Sequence, residues 1–129
     1  AIAINTHPHP QQHPVASFNG VDYMVAWEAS FFHDTPKGIY AARVSTDGVL
    51  IDGPSDAEGV VVSQPNCYSC KYVWPNILYS KDNYLIGWLN NTENSGDSKD
   101  VMGALIPPPA ELFPWEIFLP AILHGTNQE

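Results

Sequence analysis

The chain has 129 residues, 44% of them hydrophobic, with 4 Trp, 6 Tyr and 5 Phe, enough for one domain with a core of its own. Fourteen acidic residues against five basic give a net charge of −9, which excludes a basic face for nucleic acid or anionic membrane and leaves cation binding and plain solubility open. No apolar run approaches about 20 residues, so no membrane-spanning helix is expected. The start lacks a basic segment followed by an apolar one, so a signal peptide is expected to have been removed or to lie outside the chain. Twelve Pro and nine Gly disfavour a helical protein and favour short strands joined by tight turns.

In chain order, Ala1–Thr6 alternates like a short strand and matches Gly59–Ser63. His7–Pro14 (HPHPQQHP) reads as an extended connector, because its prolines fix φ and remove donors. Val15–Phe18 and Asp22–Trp27 read as a hairpin about Asn19-Gly20, which supplies the φ > 0 of a tight turn. Alternation puts Tyr23, Val25 and Trp27 on one face and Met24 and Ala26 on the other. Glu28–Gly38 reads as an irregular loop, Ile39–Ser45 as a third strand, Asp47-Gly48 as a turn and Gly59–Ser63 as a fourth strand. A second copy follows 61 positions on (79 − 18), with Pro14 over Pro75, Tyr23 over Tyr84 and Trp27 over Trp88. Its strands are predicted at Asn76–Tyr79, Asn83–Leu89 and Asp100–Ile106, and its fourth strand is missing. Pro107-Pro108-Pro109 ends the pattern. Glu111–Leu123 is apolar but broken by Pro114 and Pro120, so it reads as a tail laid over an apolar surface or an anchor for a partner.

Phe18-Asn19-Gly20-x-x-Tyr23-Met24-Val25-Ala26-Trp27-Glu28, then Ile39–Leu50, then Gly59–Ser63 resemble the propeller-like repeats of large secreted bacterial proteins. The second copy departs from the pattern, with Leu89 in the acidic slot and Leu105 in the Arg slot. The resemblance implies an all-β fold of β-propeller-type blades. Two incomplete four-stranded repeats would fill residues 1–106, with an irregular Pro-rich tail over 107–129. It also implies a secreted or periplasmic setting and a binding or scaffold role. Two repeats do not close a propeller, which takes about 4–8 blades, so the expected partners are other blades or other chains.

On the propeller reading, one face gathers His7, His9, His13, Cys67, Cys70 and Lys71 with the loops 28–38 and 90–99. Cys67-x-x-Cys70 reads first as a disulfide tying an exposed loop. Zinc is an alternative, and would need two further ligands from His7, His9 or His13. Haem c is another, because Cys67-Tyr68-Ser69-Cys70-Lys71 resembles the Cys-x-x-Cys-Lys variant of cytochrome c nitrite reductases. Either would make the chain part of a redox or metal-dependent enzyme; the leading reading has no cofactor. The histidines otherwise form a solvated connector. Phe31, Phe32, His33 and Asp34 either line a carbohydrate pocket or pack a blade edge. Asp47 and Asp52 have the spacing of calcium ligands but lack the remainder of a hand motif.

Overall fold

The computed structural model describes residues 1–30, 37–54, 59–67, 70–92 and 99–107. Every regular element among them is a strand: β1 (Gln11–Phe18), β2 (Asp22–Ala29), β3 (Gly38–Ser45), β4 (Val60–Ser63), β5 (Cys70–Ser80), β6 (Asn83–Thr92) and β7 (Asp100–Ile106). They form two antiparallel sheets, each a meander in chain order, β1-β2-β3-β4 and β5-β6-β7. The fold is therefore all-β. The predicted boundaries of β7 hold, and the residues after Pro107, where a fourth strand of the second unit would follow, lie outside the described residues.

The two sheets repeat each other in register. Phe18 pairs Tyr23 across the first hairpin and Tyr79 pairs Tyr84 across the second. Each first strand carries a bulge at the same place, between Gln12 and Val15 and between Val73 and Asn76. The bulges hold His13 (φ 51) and Trp74 (φ 54), each followed by a proline. Proline cannot donate to a ladder, so it is confined to edge strands and bulges; β1 and β5 are both edge strands of their sheets.

Several boundaries differ from the sequence reading. The ladder of β1 begins at Gln11 rather than Val15, and that of β5 at Cys70 rather than Asn76. In both cases the bulge absorbs the proline instead of ending the strand. Glu28 and Ala29 belong to β2, paired with Ile39 and Gly38, rather than to a loop. Ala1–Thr6 is not a strand. Local bonds replace ladder bonds there: the His7 N–H donates to Asn5 Oδ1 at 2.9 Å, and Gln11 Nε2 donates to the His7 carbonyl at 2.9 Å. Ile4 packs instead on the cluster of Trp27, Ala29, Tyr40 and Ala42.

The first hairpin turns as its sequence requires. Asn19 Oδ1 accepts the N–H groups of Val21 and Asp22, both at 2.7 Å, and Gly20 takes φ 97. The predicted alternation in β2 also holds. Met24 and Ala26 join the main core, while Trp27, with Val25 packed alongside, belongs to the second cluster.

The main core lies between the sheets. Met24, Ala26, Ile39 and Ala41 of the first sheet meet Ile77, Tyr84, Ile86 and Trp88 of the second. Tyr84 and Ile86 are fully buried, each contributing about 1.5–3 kcal/mol by removal from water. The tail from 108 onward and the segment 31–36 lie outside the described residues.

Candidate functional site

Two features stand out: a polar joint that ties the sheets together, and an open apolar face on the far side of the second sheet. Glu28 is the centre of the joint. It lies at the end of β2, where β1, β3 and β5 all begin, and it is 1% exposed. A buried carboxylate must be paired or strongly hydrogen-bonded. Its Oε2 accepts the Trp74 backbone N–H at 2.9 Å, a bond from the second sheet. Its Oε1 lies 3.0 Å from His13 Nδ1 and 3.4 Å from Lys37 Nζ. Lys37 Nζ also donates to Gln12 Oε1 at 3.1 Å.

The bulge explains why Trp74 can serve. Positive φ at Trp74 turns its N–H out of the ladder with β6, and Glu28 receives it. A further backbone bond crosses the same joint: the Tyr72 N–H donates to the Lys37 carbonyl at 2.9 Å, within a parallel bridge between Lys37 and Lys71. At the other end of the strands Tyr84 Oη donates to the Asp22 carbonyl at 3.4 Å. Burial, then the negative charge of Asp22, raises the Tyr84 phenol above its ordinary value.

The open face is the repeat copy of the face that receives the second sheet. Counting by strand register, Met24, Ala26, Ile39 and Ala41 correspond to Leu85, Gly87, Val101 and Gly103. Ala26 pairs directly with Ala41, and Gly87 directly with Gly103, so both faces have a floor of two small residues. The first face is buried against Tyr84, Ile86 and Trp88. The second is left uncovered among the described residues: Leu85 is 48% exposed, Leu78 61%, Leu105 68% and Val101 80%. Leu78, Leu85 and Val101, with Asn76 and Met102, line a shallow hollow of about 400 Å³. A contiguous apolar surface of this kind marks an interaction site.

The predicted site residues fall unevenly around these features. His13 sits in the joint, against Glu28. His7 and His9 pack together as a tilted pair with ring centroids 4.9 Å apart, while His13 pairs with Glu28. Cys67 and Cys70 form a disulfide with Cα atoms 5.4 Å apart, and the Cys70 N–H donates to the Cys67 carbonyl at 3.2 Å. A bridged sulfur offers neither a zinc thiolate nor a haem thioether, so either group would require the pair to be reduced first. Lys71 is half-buried within β5, opposite Asn91. No group of three or more His, Cys, Asp or Glu suited to a metal ion occurs among the described residues. Asp52 is engaged by Arg43: its Oδ2 accepts the Arg43 backbone N–H at 2.6 Å and its Oδ1 meets Arg43 Nη2 at 2.5 Å. Phe31, Phe32, His33 and Asp34 lie outside the described residues.

Sequence reasoning missed Glu28 as a joint and the second sheet's outer face as a surface. The signal for the face was present. β5 to β7 read ILY, YLIGWL and VMGALI, nearly continuous apolar runs, which is the pattern of strands covered on both sides.

Comparison with protein-family models, with curated proteins and with solved structures returns no match. The functional reading therefore rests on the geometry. No helix among the described residues is long and apolar enough to cross a membrane.

Proposed function

We propose that the chain is a binding or scaffold module of propeller type, built to be joined face to face with further sheets of its own kind. The observation that carries this reading is the repeated face: Leu85, Gly87, Val101 and Gly103 stand where Met24, Ala26, Ile39 and Ala41 already hold a sheet. Each sheet of the pair carries apolar side chains on both faces, as a blade within a series must. The partners are other blades, from other chains or from a longer polypeptide. The Cys67–Cys70 disulfide supports a secreted or periplasmic setting, where such bonds persist. A carbohydrate ligand at Phe31, Phe32, His33 and Asp34 belongs to the same proposal, with aromatic faces stacking on a sugar ring.

Light scattering on the purified chain tests the scaffold reading. The expected result is a mass above the 14.2 kDa of one chain, rising with concentration. A monodisperse monomer that melts cooperatively at every concentration overturns it.

A further inference from the structure

We infer that the open face of the second sheet receives a second copy of this chain, docked head to tail. The inference rests on the scaffold reading above and names the partner. Its basis is that one chain carries both halves of the joint.

The donor half is seen in place on the second sheet. Pro75, Ile77, Tyr79 and Tyr84 face the first sheet and are wholly or partly buried against it. Tyr79 and Tyr84 pack together as a tilted pair with ring centroids 5.0 Å apart. The first sheet repeats this half in an exposed form, with Pro14, Ala16, Phe18 and Tyr23 at the same positions. Phe18 and Tyr23 stack at 4.7 Å, and each is 44% exposed. A ready-made aromatic pair therefore stands open on one side of the molecule, and a floor of small residues rimmed by leucines stands open on the other. Ile4 covers the Trp27 end of the first sheet, so the end left for docking is that of Ala16, Phe18 and Tyr23.

The internal joint gives the geometry of the docked pair. Tyr84 reaches the Asp22 carbonyl across the sheets. Asn83 is the register copy of Asp22, so Tyr23 of the second copy meets the Asn83 carbonyl of the first. The far end of the joint differs: Leu89 replaces Glu28. The His13 bulge of the second copy lies against its own Glu28 at the end that Ile4 covers, so the charged contact of the internal joint has no counterpart. The head-to-tail joint is therefore less polar than the internal one and more dependent on apolar burial. Because it is heterologous, repetition closes a ring or extends a filament according to the rotation per copy. A charge of −9 on each copy opposes the encounter, so association strengthens with ionic strength.

Two face-blocked variants test the inference in the full chain. Tyr23→Arg blocks the first sheet's face and Leu85→Arg blocks the second's. Both sites are surface positions, and circular dichroism verifies that each variant folds. Sedimentation at about 0.15 M salt, where surface charges are screened beyond about 8 Å, should give monomers for each variant alone. An equimolar mixture should give a dimer of about twice 14.2 kDa, because each variant keeps the face the other lacks. Phe18→Arg with Leu105→Arg repeats the test at independent positions. Dimers of one variant alone would mean face pairing with its own kind and overturn the inference. So would a native chain that assembles while the mixtures stay monomeric, an outcome that leaves the scaffold reading standing. A native chain that stays monomeric overturns both.

Discussion

Glu28 and Trp74 are joined across the two sheets by a backbone N–H that a bulge has released from its own ladder. The bond is charge-assisted and largely shielded from water, and such bonds are worth about 1.5–3 kcal/mol. Glu28→Ala should lower stability by about 2–3 kcal/mol, because it leaves the Trp74 N–H without its acceptor. Glu28→Gln keeps an acceptor oxygen and should lose less. Urea midpoints for the two variants test this. Equal losses would show that the carboxylate acts through charge alone.

The Tyr84 phenol predicts a stability change at alkaline pH. Its pKa is raised above 10 in the folded chain, chiefly by burial. A group whose folded pKa is raised contributes stability that is full below its unfolded value and is lost as pH climbs through the folded value. The chain should therefore weaken from about pH 10 upward as unfolded Tyr84 gives up its proton first. Tyr84→Phe should flatten that part of the profile. A wild-type slope retained in the variant would assign the effect elsewhere.

Arg43 and Asp52 form a partly buried pair in which the carboxylate also accepts the Arg43 backbone N–H. The hydrogen bond to Asp52 raises the Arg43 pKa, so the pair stays charged. Arg43→Leu copies the residue at the matching place in the second sheet, Leu105. It should cost about 2–3 kcal/mol, because Asp52 keeps the backbone N–H but loses its counter-charge. Adding Asp52→Asn, which removes the charge and keeps an acceptor for the backbone N–H, should recover part of that loss. A single variant as stable as the native chain would place the pair among surface ion pairs of little consequence.

The cysteines should be oxidised to each other. Intact mass should not change on alkylation without reductant, and should rise by two adducts after reduction. Two accessible thiols in the native chain, or a Soret band in its visible spectrum, would contradict the disulfide.

Gly87 and Gly103 form the floor of the open face without positive φ, and an added Cβ at either meets only ordinary contacts at 3.4 Å or beyond. Gly87→Ala and Gly103→Ala should each stabilise the sheet by about 0.5 kcal/mol, through reduced freedom of the unfolded chain. They would also turn the floor into the Ala26–Ala41 pair of the first sheet. Denaturant midpoints below the native value would show that the glycines are needed for the backbone itself.

Much of this arrangement was legible in the residues. The 61-residue offset placed Tyr23 over Tyr84 and Trp27 over Trp88, and alternation assigned the faces of β2 correctly. Strand starts were less legible. Pro14 and Pro75 read as terminators, because a proline denies a ladder bond, yet a bulge on an edge strand accommodates one. Ala1–Thr6 shows the opposite error. Its alternation is that of a strand, but Ile4 is drawn onto Trp27 and Tyr40, and Asn5 and Gln11 satisfy the backbone locally. The Glu28 joint was hidden because it depends on the φ of Trp74, some 46 residues away, which no local pattern specifies.

The most direct test of the central claim is carbene footprinting of the native chain across a range of concentrations. Leu78, Leu85, Val101 and Leu105 should lose label as concentration rises, while exposed side chains away from both faces, such as Val49, keep theirs. Full labelling of those four residues at every concentration would contradict the claim that this face exists to be covered.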